Sequence, residues 1–189
     1  LVSLVERWCR RMPPHRRSDK MDEDQVIALI NSAFANVPRP VKESITNCTC
    51  EECVEIRDDF AEQDPDDMDP DRMRYHSWDM SFLTFEARHY FLPGWMRLGI
   101  REPESAYSDA VIEHLLREEG RMEQDRGWEE SGLYTPMQRK AILAFLDLVR
   151  TRNGERHDED LEAAWTRWSE HGGEPGNEES EQAGTSNGG

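Results

Sequence analysis

The chain has 189 residues, 36% of them hydrophobic, with 40 acids against 23 Lys and Arg for a formal net charge of −17. That length reads as one domain with core enough to fold without disulfides, and the composition is too apolar for whole-chain disorder. It holds no run near the ~20 apolar residues a bilayer span needs and no secretory h-region, and so acidic a surface repels phosphate backbones. Membrane and nucleic-acid binding are therefore set aside, and a cytoplasmic protein is expected.

The charge is uneven. Residues 1–20 carry Arg7, Arg10, Arg11, Arg16, Arg17 and Lys20 against Glu6 and Asp19, a net of +4, while residues 171–189 carry four Glu and no base. The composition changes at Met21-Asp22-Glu23-Asp24. This predicts a basic extension over 1–20, with translation starting at Met21, then a helical domain over 21–170 and a disordered acidic tail over 171–189.

In chain order, Val26, Leu29, Ile30 and Ala33 make an i, i+3, i+4, i+7 stripe behind an acidic first turn, which predicts a helix from Asp22 to Ala35, stopped by Pro38 and Pro40. A second helix is expected from Cys50 or Glu51 to Glu62, with Cys53, Ile56 and Phe60 inward. A long polar loop, Asp64 to Asp71, follows. The most hydrophobic stretch, Phe82 to Met96, is apolar all round and has Thr84 as a cap, so it reads as a buried central helix that Pro93 kinks or ends. Tyr107, Val111 and Leu115 share one face of a helix over Ser105–Glu118, and Gly120–Gly132 reads as a loop pinned by Trp128. Thr135-Pro136-Met137-Gln138 is an N-cap, a first-turn proline and a capping-box glutamine in order. The helix it opens carries Ile142, Phe145, Leu146 and Val149 to a stop at Asn153-Gly154, and a last helix over Asp158–Glu170 carries Leu161, Ala164, Trp165 and Trp168. No period-2 strand of useful length appears, so the fold class is all-α, a bundle of about five or six helices.

Chemistry concentrates at Cys48-Thr49-Cys50-Glu51-Glu52-Cys53. Cys50 and Cys53 lie about one helical turn apart, and Cys48 can fold over them from the loop, a geometry suited to three sulfur ligands of a tetrahedral zinc. The fourth ligand is expected to be His76, with His89 second and Cys9 behind both. Four protein ligands would make the site closed and structural, so the metal reading does not imply an enzyme. The alternatives are small buried thiols, or a redox pair at Cys50 and Cys53, which the lack of a βαβ pattern disfavours. Placing Asp67, Asp69 and Asp71 on a calcium loop puts Arg72 where glycine is needed and Trp78 where the bidentate glutamate belongs, so that match fails. His89 and His114 read as core or boundary histidines without an evident partner, and Tyr90, Phe91 and Trp95 as core that could instead line a pocket.

The segment Phe-Leu-Thr-Phe-Glu-Ala-Arg-His-Tyr-Phe-Leu-Pro-Gly-Trp from Phe82 to Trp95 resembles the FLTPEAFRYFLPAYL-like helix of a family of small bacterial proteins known only as a domain of unknown function. Tyr134-Thr135-Pro136-Met137-Gln138-Arg139-Lys140-Ala141-Ile142 is similar to its later FTPEQRAAI-like helix, and Cys48, Cys50 and Cys53 resemble the His or Cys followed by Cys-x-x-Cys that members often carry. Phe85 stands where members tend to have proline. The resemblance implies the fold and extent and brings no activity. The sequence thus points to a non-catalytic helical protein working through contacts with another protein, with a structural zinc at Cys48, Cys50, Cys53 and His76. An enzyme with a cleft around His89, Tyr90 and Trp95 is the runner-up, and an acidic nucleic-acid mimic or immunity-type inhibitor the third reading.

Overall fold

In the computed structural model, residues 20–117, 134–153 and 158–170 are described. All of the predicted basic extension but Lys20, the loop around Trp128 and the acidic tail fall outside them. Seven α-helices lie among the described residues: α1 Glu23–Phe34, α2 Glu51–Ala61, α3 Pro70–Tyr75, α4 Phe85–Arg101, α5 Tyr107–Arg117, α6 Pro136–Asn153 and α7 Glu159–Glu170. Among the same residues pairing of the β type is confined to a single bridge, Thr46 to Leu83.

Two helices begin on reciprocal caps. Gln25 N–H donates to Asp22 Oδ1 at 2.9 Å and Asp22 N–H to Gln25 Oε1 at 3.0 Å. At α6, Gln138 N–H donates to Thr135 Oγ1 at 3.2 Å and Thr135 N–H to Gln138 Oε1 at 2.9 Å. Each arrangement satisfies two backbone donors that a helix start leaves orphaned. The predicted inward faces of α2 and α5 are buried, Cys53, Ile56 and Phe60 on the one and Tyr107, Val111 and Leu115 on the other. On α1 Val26 and Ile30 are buried as expected, Leu29 and Ala33 only half so, and Phe34, outside the predicted stripe, is buried as well. On α7, Leu161, Ala164 and Trp168 are buried. Trp165 is only partly so, donating its indole N–H to Asp147 Oδ1 at 2.8 Å under the Arg150 guanidinium.

One expectation needs correction and another is narrowed. The polar stretch over 64–71 is not one loop: a 3-10 turn, Pro65–Asp67, and the helix α3 form within and beyond it. Asp64 accepts from Asp66 N–H and Asp69 from Asp71 N–H, each at 2.9 Å, and in both cases proline follows the capping aspartate at the first helical position. Asp-Pro is a helix-start signal, since proline has no N–H to leave unpaired there. Of the two outcomes expected at Pro93, a kink or an end, the end does not occur, and α4 continues to Arg101.

A mid-helix proline costs about 3 kcal/mol, and tertiary packing offsets it here. Every residue from Phe91 to Ile100 is buried. The 65–68 turn sits so close that a Cβ on Gly94 would collide with Met68 Sδ and crowd the Pro65 carbonyl oxygen at 3.1 Å, so glycine after the proline lets the turn approach. Arg97, buried in the same stretch, donates to Asn31 Oδ1 at 2.6 Å and to the Pro65 carbonyl, and pairs with Asp66 at 3.1 Å. α4 is thus the central helix, packed on α1, α5, α6 and this turn, while α6 lies on α1 and α7.

Candidate metal centre

The loop leading into α2 is fastened to the start of α4. Thr84 N–H donates to the Ile45 carbonyl at 2.9 Å, Thr84 Oγ1 to the Ser44 carbonyl at 2.6 Å, and Thr46 Oγ1 to the Cys53 carbonyl at 3.1 Å. These bonds fix where the chain turns into α2, whose N-cap position is Cys50. Cys48 from the loop, Cys50 at the cap and Cys53 one turn on converge, their sulfurs all within 4.8 Å of one another.

Cys48 Sγ lies 2.9 Å from Cys50 Sγ and accepts from Cys50 N–H at 3.2 Å. That separation exceeds an S–S bond of about 2.05 Å, and all three thiols are free. A tetrahedral ion with Zn–S bonds of about 2.3 Å needs sulfurs roughly 3.8 Å apart, within the spread of this cluster. The donor set therefore fits a thiophilic ion.

Hydrogen bonds from the Cys50 side chain, then its backbone, hold the exposed Cys48 thiol below its ordinary range. Burial, followed by hydrogen bonding with Cys50 and Cys48, pushes Cys53 up to about 12. A cation at the cluster centre would reverse the second effect, because a coordinating thiol is deprotonated outright.

His76 does not join the cysteines. Among the described residues no histidine or carboxylate completes their group. The His76 imidazole is 1% exposed and lies between two carboxylates, Nδ1 2.8 Å from Asp79 Oδ2 and Nε2 2.8 Å from Asp59 Oδ2, beside the rings of Phe60 and Tyr75. Both ring nitrogens are thereby engaged. The acids that claim them, seventeen residues upstream and three downstream, carry no sequence signal marking them as partners; the only local hint is the i, i+3 spacing of His76 and Asp79. The arrangement is a clamp joining α2 to the turn after α3.

Bonding to Asp79 raises the His76 pKa above 6.5, against desolvation, and Asp59 adds to the rise. A raised folded-state value contributes stability fully present below about 6.5 and lost as pH climbs through the folded value. His76→Gln should therefore lose roughly 1–3 kcal/mol at pH 6 and less at pH 9, read from urea midpoints at both pH values. An equal loss at the two pH values would exclude the charged clamp.

The second-choice histidine, His89, is ringed instead by Phe34, Phe85 and Tyr134 with centroids at 5.9, 5.6 and 4.9 Å, and burial lowers its pKa. Trp95 is fully buried and stacked on Phe60 at 5.2 Å. His89 and Trp95 thus serve separate aromatic clusters. Tyr90 is partly buried beneath the Arg39 guanidinium. Cys9 lies outside the described residues.

Residues 22–172 match a family of unknown function, DUF6714. The chain belongs to that family. The match spans all seven helices of the described residues and the cysteine cluster, in keeping with the resemblance carried by the Phe82–Trp95 and Tyr134–Ile142 segments. No curated protein and no solved structure matches the chain. No helix among the described residues is long and apolar enough to cross a membrane.

Proposed function

We propose that this DUF6714 member is a non-catalytic protein-interaction module in which Cys48, Cys50 and Cys53 hold a structural zinc ion. The observation that carries the reading is the convergence of the three sulfurs where a fastened loop enters α2. Zinc suits it because thiolates are its preferred ligands and it imposes no geometry beyond the tetrahedron these positions can form. The fourth corner of a closed structural site is left to a protein donor outside that group, since His76 is held by Asp59 and Asp79. The ion would tie Cys48 to the first turn of α2, while the core around α4 lies elsewhere in the chain. Its removal is therefore expected to loosen the 46–53 segment without unfolding the helices.

The test is metal analysis of protein purified without a histidine tag, with thiol titration before and after chelation. One zinc per chain is expected, with thiols that react fast only once chelator is added and helicity by circular dichroism almost unchanged. Combined Cys48→Ser, Cys50→Ser and Cys53→Ser substitution should abolish the metal. Metal-free protein with freely titrating thiols would leave the cluster as ordinary cysteines.

A further inference from the structure

The end of α3 and the turn that follows it are apolar on two sides. Met73, His76, Met80 and Leu83 point inward and are all but fully buried. Their spacing of three or four residues sends the aromatic residues between them outward: Tyr75 is 71% exposed, Trp78 52% and Phe82 39%. Isolated exposed apolar side chains need no explanation, but three large aromatics within eight residues form a ledge that water does not favour. Val41, a fourth of the five large apolar side chains exposed among the described residues, leads into the strip 44–46 that is bonded to Leu83 and Thr84 beside Phe82. The same strip runs directly into Cys48.

Charge says what would cover such a ledge. Residues 41–86 hold fourteen Asp and Glu against four Lys and Arg, a net of −10 out of the chain's −17. That field repels phosphate backbones, anionic headgroups and a second copy of the same surface, and it attracts cationic segments. Aromatic anchors in an oppositely charged surround are the usual composition of an interface centre with its rim.

We infer that the ledge of Tyr75, Trp78 and Phe82, beside the cysteine cluster, is a docking surface for a basic polypeptide segment bearing apolar anchor side chains. The inference deepens the protein-interaction reading and rests on it. It needs no metal, so the two can fail separately.

The test is fluorescence anisotropy at physiological ionic strength with a short labelled peptide of Lys and Leu, and a second with Ser in place of Leu. The full chain should bind the Lys–Leu peptide at least about tenfold more tightly than the Lys–Ser peptide. Combined Tyr75→Ser, Trp78→Ser and Phe82→Ser substitution should abolish that difference, whereas Met137→Ser, an exposed position on α6, should keep it. These side chains are exposed, so circular dichroism should show the variants folded; Val41→Ser, which leaves the aromatics intact, should weaken Lys–Leu binding less than the triple change.

Equal binding of both peptides, or an unaffected triple variant, would overturn the proposal. So would capture of phosphatidylserine vesicles in place of peptide, or Lys–Leu binding that appears only once residues 1–19 are deleted, which would make that basic segment the occupant. Metal content measured on the same samples separates the two readings. Zinc without peptide discrimination rejects the docking surface alone, and discrimination without zinc rejects the metal alone.

Discussion

Trp95→Ala should destabilise the protein by roughly 3–5 kcal/mol, the range for deleting a large aromatic from a packed core. Trp95 has no exposed surface, sits midway along the central helix α4, and stacks on Phe60 with an interplanar angle of 20°. Phe60 in turn meets Phe91 edge-on at 5.1 Å and His76 at 5.4 Å, so the cavity would open where α2, α4 and the turn after α3 converge. The indole Nε1 has no hydrogen-bond partner among the described residues, so the loss is one of packing. Trp95→Phe should accordingly cost well under half as much, since it keeps most of the ring contact and breaks no bond. Urea unfolding followed by circular dichroism measures both variants. A phenylalanine variant as unstable as the alanine one would show that the indole nitrogen matters after all.

In acid, the expectation is a loss of stability governed by His114. Burial, reinforced by the nearby Arg88 cation, holds this imidazole down to about 3, and its Nε2 has no hydrogen-bond partner among the described residues. The unfolded chain protonates near 6.5 while the folded protein stays neutral. The contribution is therefore present above about 6.5 and lost as pH falls from there toward 3. With 1.36 kcal/mol per pH unit, the whole descent amounts to about 5 kcal/mol as a ceiling. His114→Leu, which fills similar space without a titrating group, should be as stable as the native chain or more so at pH 7. It should also retain clearly more of that stability at pH 4.5. Thermal midpoints at the two pH values decide it, and parallel losses in both proteins would clear His114. The slope is opposite to that from His76, whose contribution fades as pH rises above 6.5. The two histidines together place the stability maximum between acid and mildly alkaline pH.

Where the causes are local, the sequence is readable. Asp22 with Gln25, and Thr135 with Pro136 and Gln138, announce α1 and α6 within four residues each, and the buried stripes of α2 and α5 follow from spacing alone. The Asp-Pro pairs at 64–65 and 69–70 are equally local signals, concealed by the density of acids around them. Three cysteines across one loop–helix junction could be placed together because one helical turn brings i and i+3 to the same side. No such rule reaches the partners of His76, because Asp59 approaches from another helix.

By itself, then, the sequence determined an all-α protein with capped helices, their inward faces, a thiol cluster at the head of α2 and family membership through the Phe82–Trp95 and Tyr134–Ile142 segments. These depend on interactions within a few residues, or on composition. Only the tertiary structure decided that α4 passes through Pro93, that Gly94 admits Met68, and that Trp95 belongs to the core. It alone decided that His76 answers to two aspartates instead of the cysteines, and that Tyr75, Trp78 and Phe82 face outward. Each of those outcomes is set by what a distant segment presses against the residue, and no pattern along the chain encodes that pressure.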